Sequence, residues 1–121
     1  VENQVRSIDI LPTILELLSI KEDPSYRKIQ GKSLVPIMEG KNESRIAFSQ
    51  SGNPLNSSKP PKEPNVSAIR TDEWKFISNH HDGTEELYNL KTDPTEENNL
   101  IAMENKVVGE MKKTLKHHLE I

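Results

Sequence analysis

The spacing of apolar residues changes twice along this chain, and this change limits the fold more than any other feature. Apolar positions recur with a helical period up to about residue 40, alternate between residues 45 and 90, and become helical again between residues 102 and 119. A period near 3.6 is typical of an amphipathic helix, and a period of 2 is typical of a half-buried strand. The sequence therefore predicts an α+β fold in which a small antiparallel sheet is packed with a C-terminal helix and preceded by N-terminal helices.

The first helical segment, Ile8–Leu18, is strongly apolar. Four residues follow the i, i+3, i+4, i+7 spacing of one helical stripe: Leu11, Ile14, Leu15 and Leu18. Asp9 or Ser7 is predicted to cap the start of this helix, and Pro12 fits its first turn, where a missing N–H needs no partner. Such a wide apolar stripe needs a substantial partner surface.

A second, short helix is predicted within the segment 31–38. Ser33 is its predicted N-cap and Gly40 its predicted stop. Residues 21–30 between the two helices are predicted to be a polar connection, so residues 1–40 form a helical lead-in to the sheet.

Four strands are predicted between residues 45 and 90. They are Ile46–Gln50, Val66–Arg70, Trp74–Ser78 and Glu86–Leu90, with turns at 71–73 and 80–84 that make the last three a meander. The segment 51–64 contains four of the eight prolines and is predicted to be a mobile loop. A last helix is predicted from Ala102 to Leu119, with Val107 or Val108, Met111, Leu115 and Leu119 on its apolar side.

The composition limits both the size of the core and the classes of function. At 121 residues the chain is predicted to be one domain over 1–121, and with 32% hydrophobic residues its core is thin. Either it is a small domain with a long polar loop, or it buries one face against a larger body. A net charge of -3 without a basic block argues against nucleic-acid binding. No apolar run approaches the roughly 20 residues that span a bilayer.

Histidine and cysteine would be the usual carriers of chemistry. The chain has no cysteine, which excludes disulfides, thiolate metal sites and cysteine nucleophiles in it. His80 and His81 stand beside Asp82, but adjacent residues on an extended chain point in opposite directions and no third ligand is suitably spaced, so we interpret them as solvated. His117 and His118 suit the negative end of the last helix.

Other charged residues each have a structural interpretation beside a functional one. Asp9 could bind a metal or substrate, but an N-cap whose carboxylate accepts backbone N–H groups of the next turn explains its position more simply. Arg70 and Lys75 could contact a sulfate group, but in a meander such residues more often cover a strand face or pair with Glu85 and Glu86.

Two further features are interpreted structurally. Trp74, the only tryptophan, is predicted to be a core or interface anchor rather than a platform for a sugar. The acidic segment 93–96 lacks the ligand ladder of a calcium loop, so Asp93 and Pro94 are interpreted as a turn and Thr95 with the acids after it as a helix start.

Three separated segments form an ordered series of motifs. They are Asp9-x-x-Pro12-Thr13, Gly31-x-Ser33-Leu34-x-Pro36, and the meander 68–77 and 86–90 with its exit 93–100. In this order they resemble the C-terminal pattern of the sulfatase family, the sulfate-ester hydrolases of the alkaline phosphatase superfamily. Asn89 departs from the aspartate usual there, at a strand end where the change leaves the fold prediction intact.

The resemblance implies a parent enzyme that uses a formylglycine nucleophile and a divalent cation, usually calcium. In such enzymes these groups precede the Asp-x-x-Pro-Thr helix, so we expect this chain to hold no catalytic, metal-binding or cofactor-binding residue and to be inactive alone. The expected partners are the preceding catalytic domain of the same protein and, through it, a sulfate-ester substrate. By the same resemblance, loops 52–64 and 80–84 are candidates for shaping the substrate pocket.

The sequence leaves alternatives open for the parent enzyme and for the role of this chain. The parent could instead be a phosphodiesterase, phosphonate hydrolase or phosphoethanolamine transferase of the same superfamily. The chain could also be a stand-alone interaction module that binds a partner through the helix Ile8–Leu18, and self-association through that apolar face is a further option. A cytoplasmic, periplasmic or secreted location is compatible with the sequence.

Overall fold

The structure, a computed structural model, describes residues 3–21, 23, 29–52 and 65–120. The chain divides into two compact units, Val1–Arg45 and Ile46–Ile121, which we call the N-terminal and the C-terminal unit. The assignment of one domain to residues 1–121 stays a prediction. None of the described helices is long and apolar enough to cross a membrane.

The N-terminal unit contains the two predicted helices, both shorter than predicted. A 3₁₀ turn at Ser7–Asp9 leads into helix α1, Ile10–Leu17, and helix α2 spans Val35–Met38. Leu34, not the predicted Ser33, occupies the N-cap position of α2. The Ser33 hydroxyl accepts the Val35 N–H at 3.2 Å from one position earlier. Gly40 follows α2 with a φ of 94°, a left-handed conformation that glycine adopts without strain and that ends helices.

The C-terminal unit confirms the predicted antiparallel sheet. Its strands are β1 Ala47–Ser51, β2 Val66–Arg70, β3 Trp74–Asn79 and β4 Glu85–Asn89, paired in the order β1-β2-β3-β4. Both turns of the meander close as predicted, with the Thr71 N–H donating to the Trp74 carbonyl at 2.8 Å and the Asn79 N–H donating to the Thr84 carbonyl at 2.9 Å. Of the predicted mobile loop, Ser51 ends β1 and Gly52 follows it, while residues 53–64 lie outside the described residues.

One row of apolar side chains crosses the sheet and forms half of the core. The strand register aligns one residue from each strand: Phe48, Ile69, Phe76 and Leu87. Helix α3, Asn105–Leu119, packs Val108, Met111 and Leu115 against this row. Trp74 is half-buried against the same cluster, which confirms its predicted role as an anchor.

Helix α3 begins three residues later than predicted, because residues 101–103 form a turn in which Met103 and Glu104 donate their N–H groups to the Leu100 carbonyl. Leu100 also donates its own N–H to the Leu87 carbonyl at 2.8 Å, so the segment before α3 lies along the outer edge of β4. This edge is therefore covered, which protects its backbone groups from pairing with another chain.

Candidate functional site

Helix α1 turns its apolar side to solvent. Its outward side chains are between 46% and 64% exposed, and we call this set the apolar face of α1: Ile10, Leu11, Ile14, Leu17 and Leu18. Val5, Ile8 and Ile20 beside it are also exposed. Soluble domains rarely leave such a contiguous apolar surface open, and one of this kind marks an interaction site.

The inward side of the same helix is largely polar. Thr13 is buried, and its hydroxyl donates to the Asp9 carbonyl at 2.6 Å and accepts the Leu34 N–H at 2.8 Å. Pro12 is buried beside it. Among the described residues of the N-terminal unit, Ile37 is the only fully buried hydrophobic side chain. Hydrogen bonds and ion pairs, more than an apolar core, therefore hold this unit together.

Asp9 is the centre of that polar network, and its side chain is completely buried. The Arg6 side chain donates to its two oxygens at 2.8 and 3.1 Å, Nη1 of the buried Arg45 lies 3.0 Å from Oδ2, and the Lys32 N–H donates to Oδ1 at 2.9 Å. Arg45 also donates to the carbonyls of Lys32 and Ser33 at 2.8 and 2.7 Å. One carboxylate thus connects three segments that are distant in sequence.

The prediction that the Asp9 carboxylate caps α1 is wrong. Its backbone does stand at the N-cap position of α1, but its carboxylate makes no capping bond to the turn that follows. It instead accepts the N–H of Arg6, which precedes it, and that of Lys32. The bonds from the two guanidinium groups outcompete a local cap, because hydrogen bonds from charged donors are roughly twice as strong as those from neutral donors.

The environment of Asp9 lowers its pKa. Burial alone would raise the pKa of this carboxyl group, but hydrogen bonds from Arg6, from the Lys32 N–H and from Arg45 more than offset that effect and hold the pKa well below its usual value of 3.8. The ionised form is therefore the form that the folded N-terminal unit stabilises.

We expect the contribution of Asp9 to stability to be complete above about pH 4 and to be lost as the pH falls further, because a depressed pKa in the folded state means that the unfolded state binds the proton first. A 13C NMR titration of the Asp9 carboxyl carbon checks this prediction. An Asp9 midpoint at or above that of an ordinary aspartate would contradict it.

Among the described residues of the C-terminal unit, a groove lies between the sheet and the C-terminal half of α3. It encloses about 360 Å³ over an apolar floor that includes Phe76 and Leu115, and His80 lies at its rim. The cations along it have partners, since Lys112 pairs with Glu85 at 2.6 Å and Lys116 with Glu120 at 3.7 Å. The groove therefore has no strong net charge that would select an ion.

The four histidines do not come together. His80 and His81 are exposed in the turn after β3, with His80 Nε2 3.2 Å from the Ser67 hydroxyl. His117 is exposed on α3, and His118 stacks on Phe48 of β1 with ring centroids 3.6 Å apart. Among the described residues, no group of three or more His, Asp or Glu side chains is arranged to hold a metal ion.

Lys75 lies on the sheet face that points away from α3, and its partner differs from the predicted one. It pairs with Glu96 at 2.6 Å, not with Glu85 or Glu86. The register explains this difference, because Glu85 lies on the opposite, α3-facing side and Glu86 accepts the Tyr88 hydroxyl at 2.8 Å. Arg70 stands directly opposite Lys75 on the neighbouring strand.

The acidic segment 93–96 forms a turn but not the predicted helix start. The Asp93 carboxylate accepts the N–H groups of Glu97 and Asn98 at 3.1 and 2.8 Å, and these bonds lower its pKa. Glu96 has a φ of 58°, which interrupts helical geometry, so the chain continues without regular structure to residue 100. The turn at Asp93 and Pro94 was predicted from the sequence, whereas the left-handed conformation of Glu96 was not.

Comparison with known structures defines the class of fold. The chain is similar to a protein from Bacteroides thetaiotaomicron assigned to the sulfatases (24% identity, TM-score 0.73) and to a 2-O GAG sulfatase (24% identity, TM-score 0.72). It is also similar to the phosphonate monoester hydrolase of Agrobacterium radiobacter (23% identity, TM-score 0.60). Each comparison covers 93% of this chain and 24% of the other, so the chain spans about a quarter of their length. The chain therefore has the fold of the matching part of these sulfatase and phosphonate hydrolase structures.

The family itself follows from the sequence. All residues, 1–121, match the family described as N-sulphoglucosamine sulphohydrolase, C-terminal, and the chain belongs to this family of sulfatase C-terminal domains. A search of curated proteins found no match.

Proposed function

We propose that this chain is the C-terminal domain of an enzyme that hydrolyses sulfate esters, and that its own role there is structural. The family match over residues 1–121 supports the enzyme class. The structures with this fold are about four times longer than the match, which supports a parent polypeptide with a further, larger part.

The apolar face of α1 is the observation that carries the structural role. Burying one Ile or Leu side chain contributes about 1.5–3 kcal/mol, so five residues left roughly half-exposed represent several kcal/mol that only a partner surface can recover. The inward side of the helix is already occupied by the Asp9 network. The proposed occupant is the larger part of the same polypeptide, which covers this face when the parent enzyme folds.

The catalytic groups of the parent enzyme belong, in this proposal, to that larger part. The chain has no cysteine, and none of its serines stands in the Ser-x-Pro-Ser/Ala-x-Arg pattern from which a formylglycine could be made. Its described residues offer no cluster of acidic or histidine ligands suited to calcium. The donor set therefore does not fit either group, and no step of the reaction is assigned to residues of this chain. Alone, the chain is proposed to be inactive.

A second role, shaping of the substrate pocket, is proposed for the loops at one end of the sheet. Because the strands are antiparallel neighbours, the β1–β2 and β3–β4 connections leave the sheet at the same end. The His80 N–H donates to the Asn65 carbonyl at 2.8 Å, which ties the 80–84 turn to the end of the β1–β2 connection. Residues 53–64 of loop 52–64 lie outside the described residues.

The docking role predicts a specific loss in the full-length parent enzyme. Ile14→Asp places a charge at the centre of the apolar face, and we expect it to reduce the yield of soluble enzyme and its hydrolysis of an aryl sulfate by about tenfold or more, since an unpaired buried charge is strongly unfavourable. Purified yield, thermal unfolding and turnover at saturating substrate are the measurements.

The matched control is Met103→Asp, which places the same charge on a hydrophobic residue that is 76% exposed and lies outside this face. The control is expected to behave as the parent enzyme does. Equal yield, stability and turnover for Ile14→Asp and the parent enzyme would refute docking through α1. A correctly matured parent enzyme without activity on any sulfate ester would refute the enzyme class.

The likeness to a phosphonate monoester hydrolase favours a second candidate, a parent that cleaves phosphonate monoesters. The two candidates share the docking role of this chain and differ only in the ester. Parallel assays of the full-length enzyme on an aryl sulfate and an aryl phosphonate separate them, because the preferred substrate is the one with the larger kcat/KM.

A further inference from the structure

The N-terminal unit packs its amphipathic helix in the reverse of the usual orientation. A helix at the surface of a globular domain ordinarily turns its apolar stripe inward and its polar side to water. Here Ile10 and Ile14 face solvent, while Asp9 and Thr13 are buried. Some interaction must hold α1 in this orientation against its own hydrophobicity.

We propose that Asp9 is a positioning residue that selects which face of α1 is presented for docking. The inference rests on the docking role proposed above and names the residue responsible for it. Asp9 stands at the junction of the 3₁₀ turn and α1, so its side chain fixes the rotation of the helix about its axis.

The contacts of Asp9 and Thr13 oppose rotation of α1 about its own axis. The Asp9 carboxylate is bound on one side by Arg6, three residues before it, and on the other by Arg45 and the Lys32 N–H. Four residues further along the same side of the helix, Thr13 accepts the Leu34 N–H. Two adjacent turns of the helix are thus joined to the same segment, 32–34, which leads into α2.

Charge opposes the orientation in which the apolar face of α1 would point inward. If the helix rolled so that Ile10 and Ile14 faced inward, the carboxylate would leave Arg45, and the buried guanidinium would keep only its ion pair with the partly exposed Glu43 at 3.3 Å. Breaking one partner of a buried ion pair in this way is strongly unfavourable, whereas an apolar pair of similar volume in its place is often tolerated. The network therefore opposes the roll that hydrophobic burial alone would favour.

This contrast gives a test in the 121-residue chain itself. The double variant Asp9→Leu/Arg45→Met removes both charges of the buried pair. Arg6 and Glu43 each lose a partner in it, but their side chains are 20% and 34% exposed. The single variant Asp9→Asn removes only the negative charge. Because the chain has no cysteine, Ile14→Cys supplies a unique thiol on the apolar face whose rate of alkylation reports the exposure of that face. Amide hydrogen exchange at Lys32 and Leu18 completes the measurement.

The Lys32 amide reports the Asp9 bond, and the Leu18 amide, which donates to the Ile14 carbonyl at 3.0 Å, reports whether α1 is still a helix. In the double variant we expect alkylation to slow about tenfold and the Lys32 amide to lose protection while Leu18 keeps it. In Asp9→Asn we expect a smaller decrease in the alkylation rate and a smaller loss of protection at Lys32. Glu16→Gln, an exposed carboxylate on the same helix, is the matched control and is expected to change neither.

Two outcomes would overturn the proposal. Unchanged alkylation with a protected Leu18 amide in the double variant would show that the orientation of α1 does not depend on Asp9. Loss of Leu18 protection in both the double variant and Asp9→Asn would show that Asp9 maintains the helix itself rather than its orientation. Since no activity is measured, these outcomes are distinguishable from failure of the proposed enzyme class.

Discussion

Replacement of Gly31 by alanine is expected to destabilise the N-terminal unit by about 3 kcal/mol, near the upper end of the cost of overpacking. A Cβ atom at this position would lie well inside contact distance of the carbonyl carbon and oxygen of Ile8. These are backbone atoms of the 3₁₀ turn that leads to Asp9, so no flexible side chain can move aside. The segment before Lys32 would have to shift, and the bond between the Lys32 N–H and Asp9 would be lengthened or lost.

Amide exchange at Lys32 and urea unfolding followed by circular dichroism measure this effect. The control is Gly109→Ala on the exposed side of α3, where a Cβ atom would meet nothing within 4 Å. Because glycine in a helix interior is less favourable than alanine by about 0.5–1 kcal/mol, this variant is expected to be slightly stabilised. If the two alanine variants had equal stability, the close approach of Gly31 to Ile8 would be refuted.

Replacement of Phe76 by alanine is expected to destabilise the C-terminal unit by about 3–5 kcal/mol, the usual cost of truncating a buried aromatic side chain. Phe76 is 1% exposed and lies at the centre of the row that crosses the sheet, between Ile69 and Leu87. Its removal would leave a cavity that the paired strands on both sides prevent from closing.

Fluorescence of Trp74, the single tryptophan, provides a local signal for unfolding of this unit by denaturant. Ile77→Ala is the matched control, because Ile77 is the next residue of β3, lies on the opposite face of the sheet and is only half-buried. We expect the control to lose about 1 kcal/mol. A Phe76 variant that loses no more stability than the Ile77 variant would contradict the assignment of the core to the α3-facing side.

The C-terminal unit shows how much local pattern can predict. The alternation around Phe76 and Ile77, and the turn residues at 71–73 and 82–83, are local signals that act between neighbours in sequence. All four strands formed within one residue of the predicted bounds. Predictions that required knowledge of distant partners were less accurate. Lys75 was expected to cover a strand face or to pair with Glu85 and Glu86. Its actual pairing with Glu96 depends on where the chain turns after β4.

The charge network in the N-terminal unit also shows that partners distant in sequence could not be predicted. The spacing of Arg6 and Asp9 is a local signal for an ion pair, and it could have indicated that Asp9 does more than cap a helix. No sequence spacing could indicate Arg45, which lies 36 positions after Asp9 and meets it only because the chain folds back. The apolar stripe of α1 was likewise visible, but not the direction in which it points.

By itself, the sequence determined the order and type of the elements and the antiparallel meander, because these depend on short-range periodicity and turn chemistry. Its motif series also carried the resemblance to a sulfatase C-terminal domain. Only the tertiary structure decided that Asp9 is a buried ion-pair centre and that the apolar face of α1 points outward. The physical reason is that an amphipathic period fixes two opposite faces of a helix but not their direction. That direction depends on long-range electrostatic partners which are brought together by folding.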